Sequence, residues 1–170
     1  MKRTGPVQIV EYSAEWPFVF ETEGRLLRAL FLPERVEIEH IGSTAVVGMA
    51  AKPIVDILLG APSLESIERR IPALESRGYL YVGEFEVQLP RRRYFVKPAE
   101  REAMFHLHAV ESGSTFWRDH VKFRDVLRTD RRVFDDYLAL KLSLAKSLKM
   151  GRDAYTEAKG PFIASIINGK

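Results

Sequence analysis

The 170-residue chain contains no cysteine, which excludes both a disulfide framework and a thiolate metal site. It also lacks an internal repeat, a low-complexity linker and any run of the roughly 20 apolar residues that a membrane span needs. The N-terminal stretch MKRTGPVQIVEYSAEW begins with basic residues but has no long apolar segment, unlike a signal peptide. These absences predict a single domain over residues 1–170 in the cytoplasm, with no membrane partner.

What is present is typical of a globular protein, with 46% hydrophobic and 29% charged residues. The formal net charge is +3, and Arg91-Arg92-Arg93 is the one dense basic run. That run is either a solvated loop or a phosphate-facing cluster, because a strand follows it directly. The charge favours an anionic ligand over a cationic one, and nothing in the sequence is typical of a DNA-binding motif.

Hydrophobic periodicity places strands in the middle of the chain and helices at its end, which predicts an α+β fold. A first helix is predicted from a cap at Ser13 to about Leu32, and a second from Ser63 to Ser76. The last predicted helix is interrupted at Gly160-Pro161. The predicted strands are 7–10, 36–41, 54–59, 79–82 with an extension toward 89, 93–97 and 105–110, and the later helices are 116–127, 131–148 and 153–167.

The stretch EHIGSTAVVGMAAKPIVDILLG, residues 39–60, combines the residue types of a phosphate site. Gly42 allows a close backbone approach to a ligand, and the Ser43 hydroxyl can donate to a phosphate oxygen. Asp56 interrupts an apolar strand, where a carboxylate is costly to bury without a metal or a cation. Lys52 precedes that strand and can neutralise phosphate charge. The alternative is an ordinary turn and an Asp56–Lys52 ion pair.

Two histidines form a second candidate group. His106 and His108 are two residues apart on a predicted strand, so their side chains share one face of it. Imidazole serves both as a metal ligand and as a general base near neutral pH. If this strand lies beside that of Asp56, the three side chains form a mixed site that suits Mn²⁺ or Zn²⁺ better than Mg²⁺, and His40 is a further candidate for it. The alternative is a structural role in hydrogen bonding.

Three more basic residues complete the candidate set. Arg93 opens a strand, and its guanidinium can bind a phosphate through two hydrogen bonds. Lys159 and Arg124 lie on predicted helices, where either a phosphate contact or a salt bridge to a nearby Asp or Glu explains them.

The Gly-Ser pair followed by an aspartate on an apolar strand resembles the nucleotidyltransferase superfamily. The further segments RRRYFVK, FHLHAVE, FRDVLRTD, YLALKLSLA and DAYTEAKGPFI occur in the order and spacing of the GrpB-like family, and the resemblance covers almost the whole chain. That family includes domains fused to dephospho-CoA kinase. The resemblance implies a nucleotidyltransferase-like mixed sheet with flanking helices and a helical C-terminal part.

The resemblance also implies a function: metal-dependent nucleotidyl transfer, with the triphosphate at Gly42 and Ser43 and a divalent metal, Mg²⁺ or Mn²⁺, at Asp56. His106 or His108 would complete the metal site or deprotonate the acceptor. Nucleotidyltransferases carry a second carboxylate two residues after the first, where this chain has Leu58. The alternatives are therefore an inactive module that binds a nucleotide, a CoA-like ligand or RNA, and a histidine–metal phosphohydrolase.

Overall fold

A computed structural model of the chain describes residues 8–98, 104–147 and 152–169, with the side chains of residues 147, 152 and 153 excepted. The described helices are Glu15–Phe31 (α1), Leu64–Glu68 (α2), Ile71–Glu75 (α3), Thr115–Thr129 (α4), Arg131–Ser147 (α5), Arg152–Ala158 (α6) and Gly160–Ile167 (α7). The described strands are Glu37–Ile41 (β1), Ile54–Ala61 (β2), Leu80–Tyr81 (β3), Arg92–Lys97 (β4) and Met104–Glu111 (β5). The predicted α+β class is confirmed.

The described strands form one mixed sheet in the order β1-β2-β5-β4-β3. Strands β2 and β5 run parallel, while the other neighbours are antiparallel. In this register Asp56 of β2 is paired with His106 of β5, and Tyr94 of β4 is paired with His108. Because side chains alternate along a strand, these four residues project from the same face of the sheet.

The opposite face carries the larger hydrophobic core. There α1, α2 and α3 pack on the sheet, with Trp16 and Phe31 of α1 against Ile57 and Leu107 at its centre. On the face that carries Asp56, α4 packs through Trp117 against a smaller cluster. A third cluster joins α5 and α7 to the loop after β1. The C-terminal helices therefore lie over the Asp56 face of the sheet without filling all of it.

Most predicted elements are confirmed within a few residues, and three differ. The strand predicted over 7–10 is, in its described part, only an isolated bridge, because Val10 alone pairs, with Ala51. The predicted helix over 63–76 is two short helices, because Pro72 has no N–H to donate to the carbonyl of Glu68, where α2 ends. The strand predicted from residue 79 is only two residues long, since a 3₁₀ turn over Gly83–Val87 follows it. Val7 and Leu148, at the ends of two predicted elements, lie outside the described residues.

The last helical segment is interrupted as predicted, with α6 ending at Ala158 and α7 beginning at Gly160. In the described part of the chain, no helix has both the length and the apolar character required to cross a membrane.

Candidate functional site

A cleft of about 530 Å³ lies between the Asp56 face of the sheet and the C-terminal helices. The structure brings seven of the eight residues predicted as site residues to its wall. They are Gly42, Ser43, Lys52, Asp56, His106, His108 and Lys159. The convergence expected from strand alternation is therefore confirmed as geometry, while the chemical roles of these residues stay predictions.

The Gly42–Ser43 turn forms one rim of the cleft. Gly42 has φ 72° and ψ −174°, a conformation that is accessible essentially to glycine alone. A Cβ at this position would also overlap the carboxylate of Asp56. The backbone of the turn therefore lies directly against the Asp56 carboxylate. Any side chain at residue 42 would prevent this close approach.

His40 supports this turn from the other side of the sheet and does not join the histidine pair. The Thr44 hydroxyl donates to the carbonyl of Ile54 at 3.0 Å, so it accepts from His40 Nε2, also at 3.0 Å. The imidazole stacks on Phe20 of α1 with centroids 4.7 Å apart. Burial lowers the pKa of His40 to about 4, so it is neutral at pH 7. The suggestion that His40 adds to the metal site is wrong, because its side chain faces the α1 core.

Asp56 lies at the floor of the cleft, between the two imidazoles. Its Oδ1 is 3.3 Å from His106 Nδ1 and 3.6 Å from His108 Nε2. Burial by itself would raise the pKa of the Asp56 carboxyl, but the two imidazoles that face it outweigh burial and hold the pKa well below its usual range. Asp56 is therefore an ionised carboxylate at every physiological pH.

Arg92 determines which nitrogen of His108 carries the proton. Arg92 Nη1 lies 3.2 Å from His108 Nδ1, and a guanidinium can only donate. Nδ1 therefore accepts, and the neutral His108 carries its proton on Nε2, which faces Asp56. Burial lowers the pKa of His108 to about 4, against the opposing effect of Asp56, so the neutral form prevails at pH 7.

This arrangement bears directly on the predicted metal. Among the residues that the structure describes, no three His, Cys, Asp or Glu side chains are arranged to hold a metal ion. Both nitrogens of His108 already face a partner, Arg92 or Asp56. In this arrangement Asp56, His106 and His108 do not fit Mg²⁺, Mn²⁺ or Zn²⁺, so the geometry gives no support to the divalent metal predicted from the sequence.

Three lysines meet at the end of the cleft near the Gly42–Ser43 turn, and we call Lys52, Lys141 and Lys159 the lysine cluster. Lys52 and Lys159 lie on the ring of Tyr155, with Nζ 5.3 Å and 4.6 Å from its centroid. The Lys141 ammonium donates to the carbonyl of Ala50 at 2.5 Å. Burial and then the other two lysines lower the pKa of Lys141 to about 7. Burial and then Lys52 lower the pKa of Lys159 to about 8.

Sequence reasoning did not single out several residues of this cleft, among them Lys141 and Tyr155, and it considered Arg92 only as part of the basic run. Lys141 lies four residues after Tyr137, so it interrupts the apolar stripe of α5, and that interruption was a usable signal. The Tyr155 ring is buried, and its hydroxyl has no hydrogen-bond partner among the described residues. Nothing in its sequence context distinguishes Tyr155 from a core aromatic residue.

Arg93 is the one predicted site residue that the structure does not bring to the cleft. It projects from the opposite face of the sheet, where Glu68 lies 2.5 Å and Glu86 3.3 Å from its guanidinium. Because successive side chains of β4 point to opposite faces, Arg92, one residue earlier, lines the cleft instead. For Arg124 the salt-bridge interpretation is confirmed, with Nε 2.8 Å from Asp125 Oδ1.

Comparisons with known proteins agree over nearly the whole chain. The glutamate-rich protein GrpB of Alkalihalophilus pseudofirmus is 33% identical over 168 residues, which cover 96% of this chain and 95% of that protein. The crystal structure of the conserved protein GrpB from Enterococcus faecalis aligns with a TM-score of 0.84 at 32% identity, covering 95% of this chain and 96% of that one.

A dephospho-CoA kinase of Mycolicibacterium paratuberculosis is 26% identical over 179 residues, spanning 92% of this chain but only 44% of the kinase. The family model described as GrpB protein matches residues 6–168. The chain therefore belongs to the GrpB family.

Proposed function

We propose that the cleft binds a nucleotide or another phosphorylated small molecule, with the phosphate groups between the Gly42–Ser43 turn and the lysine cluster. The observation that carries this proposal is the lysine cluster itself. Burial and then the repulsion between its ammonium groups lower the pKa values of Lys141 and Lys159. An anion that contacts all three relieves this repulsion and gains charge-assisted hydrogen bonds.

Phosphate fits this end of the cleft better than a carboxylate does. A di- or triphosphate carries enough negative charge to interact with three cations, and its several oxygens can accept from Ser43 as well. The Gly42–Ser43 turn lines the same cleft, where its backbone N–H groups can contact such a group. Asp56, which is ionised, disfavours a phosphate directly above it and so favours the lysine end.

Nucleotidyl transfer is the second candidate, and the position of Asp56 favours it. An ionised carboxylate on the floor of a nucleotide cleft can accept a hydrogen bond from the hydroxyl of an acceptor and so orient it toward the phosphoryl group. Leu58, two residues further on the same face, is fully buried beneath α4, so β2 offers no second carboxylate there. Transfer would therefore depend on Asp56 and the two histidines alone.

The test of the binding proposal is a calorimetric titration of ATP into the wild type, Lys159→Gln and Lys146→Gln. Lys146 is an exposed lysine on α5 outside the cleft, so its variant removes the same charge as a matched control. We expect Lys159→Gln to weaken ATP binding about tenfold or more, since a charge-assisted contact contributes about 1.5–3 kcal/mol. Lys146→Gln should change it less than about twofold.

Equal losses in the two variants would indicate non-specific attraction to a basic protein and would contradict the proposal. Transfer of labelled AMP from ATP to an acceptor, abolished by Asp56→Asn, would support the second candidate in addition to binding.

A further inference from the structure

Arg92 is a half-buried cation in the wall of the cleft, at the opposite end from the lysine cluster. Its guanidinium lies 4.9 Å from the ring centroid of Tyr94 and 5.7 Å from that of Phe116. Its hydrogen bond goes to His108, a neutral group. Its Nε is buried and has no hydrogen-bond partner among the described residues. Arg92 is therefore enclosed by aromatic rings and an imidazole rather than by a carboxylate.

The neighbouring arginines differ in this respect. Arg91 is paired with Glu111, and Arg93 with Glu68 and Glu86. Within the described part of the chain, no carboxylate lies within ion-pair distance of Arg92. The basic run thus contains two arginines with structural ion pairs and, between them, one that is directed at the cleft without such a pair.

Partial burial of a guanidinium without an anion is costly, because arginine cannot lose its proton to escape the desolvation penalty. Contact with the two aromatic rings offsets only part of that cost. An oxyanion in the cleft would offset much more, since the planar fork of the guanidinium matches a carboxylate or a phosphate through two hydrogen bonds. The unpartnered Nε is one of the donors that this fork requires.

We propose that Arg92 forms a second anion subsite, which binds the carboxylate or phosphate group of an acceptor molecule while the lysine cluster binds the phosphates of a nucleotide. The assignment of the other ligand as a nucleotide rests on the function proposed above. The two subsites lie on opposite sides of Asp56 and the histidine pair. The strand of Arg92 is two strands from that of Asp56, roughly 10 Å across the sheet.

This separation has a consequence for the ligand. The phosphates of one nucleotide, held at the lysine cluster, do not at the same time occupy the subsite of Arg92. A second molecule, or a distal acidic group of an extended one, is needed there. Asp56 and His106 then lie between the two ligands, where their side chains can contact the reacting groups of both.

The test uses the wild-type protein and inorganic phosphate as the probe, with acetate in a second titration. The reporter is the Nε–Hε resonance of Arg92 in a ¹⁵N correlation spectrum, assigned by its loss in Arg92→Lys. We expect a saturable shift of this resonance with millimolar phosphate or acetate, and the anion that shifts it identifies the preferred oxyanion. Arg91→Gln, which changes the exposed neighbour, should leave the titration unchanged within about twofold.

The same titration in Lys159→Gln separates this proposal from the preceding one. An Arg92 shift that survives in Lys159→Gln supports an independent subsite, whether or not ATP binding depends on Lys159. Absence of a saturable shift with either anion would overturn the Arg92 subsite even if ATP binds at the lysine cluster. A shift that disappears in Lys159→Gln would also overturn it, because Arg92 would then only sense occupancy of the other end.

Discussion

At the residue scale, His40 and His108 have similar pKa values but different hydrogen-bond partners and therefore different roles. Burial lowers the pKa of each to about 4, so neither carries charge at pH 7. His40 donates a hydrogen bond from Nε2 to the Thr44 hydroxyl, and this bond stabilises the turn that precedes the cleft. His108 lies between Arg92 and Asp56 and contacts both of them as a neutral imidazole. His108 therefore adds no positive charge to the cleft at pH 7, whereas Lys159, with a pKa of about 8, does.

This reading of His108 predicts the outcome of a metal titration. Calorimetric addition of Mn²⁺ to the ligand-free wild type should give no saturable binding at micromolar concentrations. The reason is that Asp56 is paired with two imidazoles and both nitrogens of His108 are partnered. Asp56→Asn should behave in the same way. Tight Mn²⁺ binding to the wild type that Asp56→Asn abolishes would contradict this expectation and support the metal ligands predicted from the sequence.

At the element scale, the turn between β1 and β2 depends on a glycine for two separate reasons. Gly42→Ala should lower the free energy of unfolding by about 1–3 kcal/mol, because its backbone conformation is strained for other residues. The new methyl must also displace the Asp56 carboxylate. We therefore expect ATP binding to weaken as well, measured by calorimetry beside chemical denaturation.

Gly113→Ala is the matched control for that substitution. Gly113 has φ 67°, and a Cβ there would meet no atom within 4 Å. It should cost about 1–2 kcal/mol of stability through backbone strain and leave ATP binding unchanged. Equal effects of the two variants on ATP affinity would mean that the approach of Gly42 to Asp56 is irrelevant to the ligand.

Much of this fold was predictable because its elements follow local rules. Alternation placed Asp56, His106 and His108 on shared faces, and Gly160-Pro161 divided the last helix. Which side chains of β4 face the cleft was not predictable from the sequence. Arg92 with Tyr94 and Arg93 with Phe95 are equally plausible pairs for that face. Only the tertiary packing of Phe95 into the α1 core decides between them.

The lysine cluster could not be predicted from the sequence for a different reason. Its members come from the entry to β2, from α5 and from the junction of α6 and α7, up to about a hundred residues apart in the chain. No local pattern reports how helices dock on a sheet, so Lys52 and Lys159 could be proposed singly but not as a group with Lys141. The packing of α5 and α7 against the loop after β1 brings them together.

At the scale of the whole molecule, both the sheet and its helical cover contribute charges of both signs to the cleft. The sheet contributes Asp56 and Arg92, while the helices contribute Lys141 and Lys159 beside Asp119 and Glu157. The charge of these two lysines changes within the range accessible to experiment, because their pKa values are about 7 and about 8. Ligand affinity and protein stability should consequently respond to pH in opposite directions.

The sign for stability follows from proton binding. Between about pH 7 and the ordinary lysine pKa of 10.5, the unfolded chain binds more protons than the folded one at Lys141, and Lys159 does the same from about pH 8. These two groups therefore make the ligand-free protein more stable as the pH rises through that window. An anionic ligand has the opposite preference, because it interacts with the charged lysines.

Binding of ATP should accordingly weaken by about tenfold or more from pH 7 to pH 9, because the lysines lose charge while the terminal phosphate of ATP only completes an ionisation that is largely finished at pH 7. At pH 8 binding should take up protons, because bound phosphate raises the pKa of Lys141 and Lys159 toward the ordinary value. Calorimetry at pH 8 in buffers of different ionisation enthalpy measures that uptake, and Lys141→Met should reduce it while Lys146→Gln should not. Constant affinity across this range, with heats independent of the buffer, would mean that the phosphates do not contact the lysine cluster.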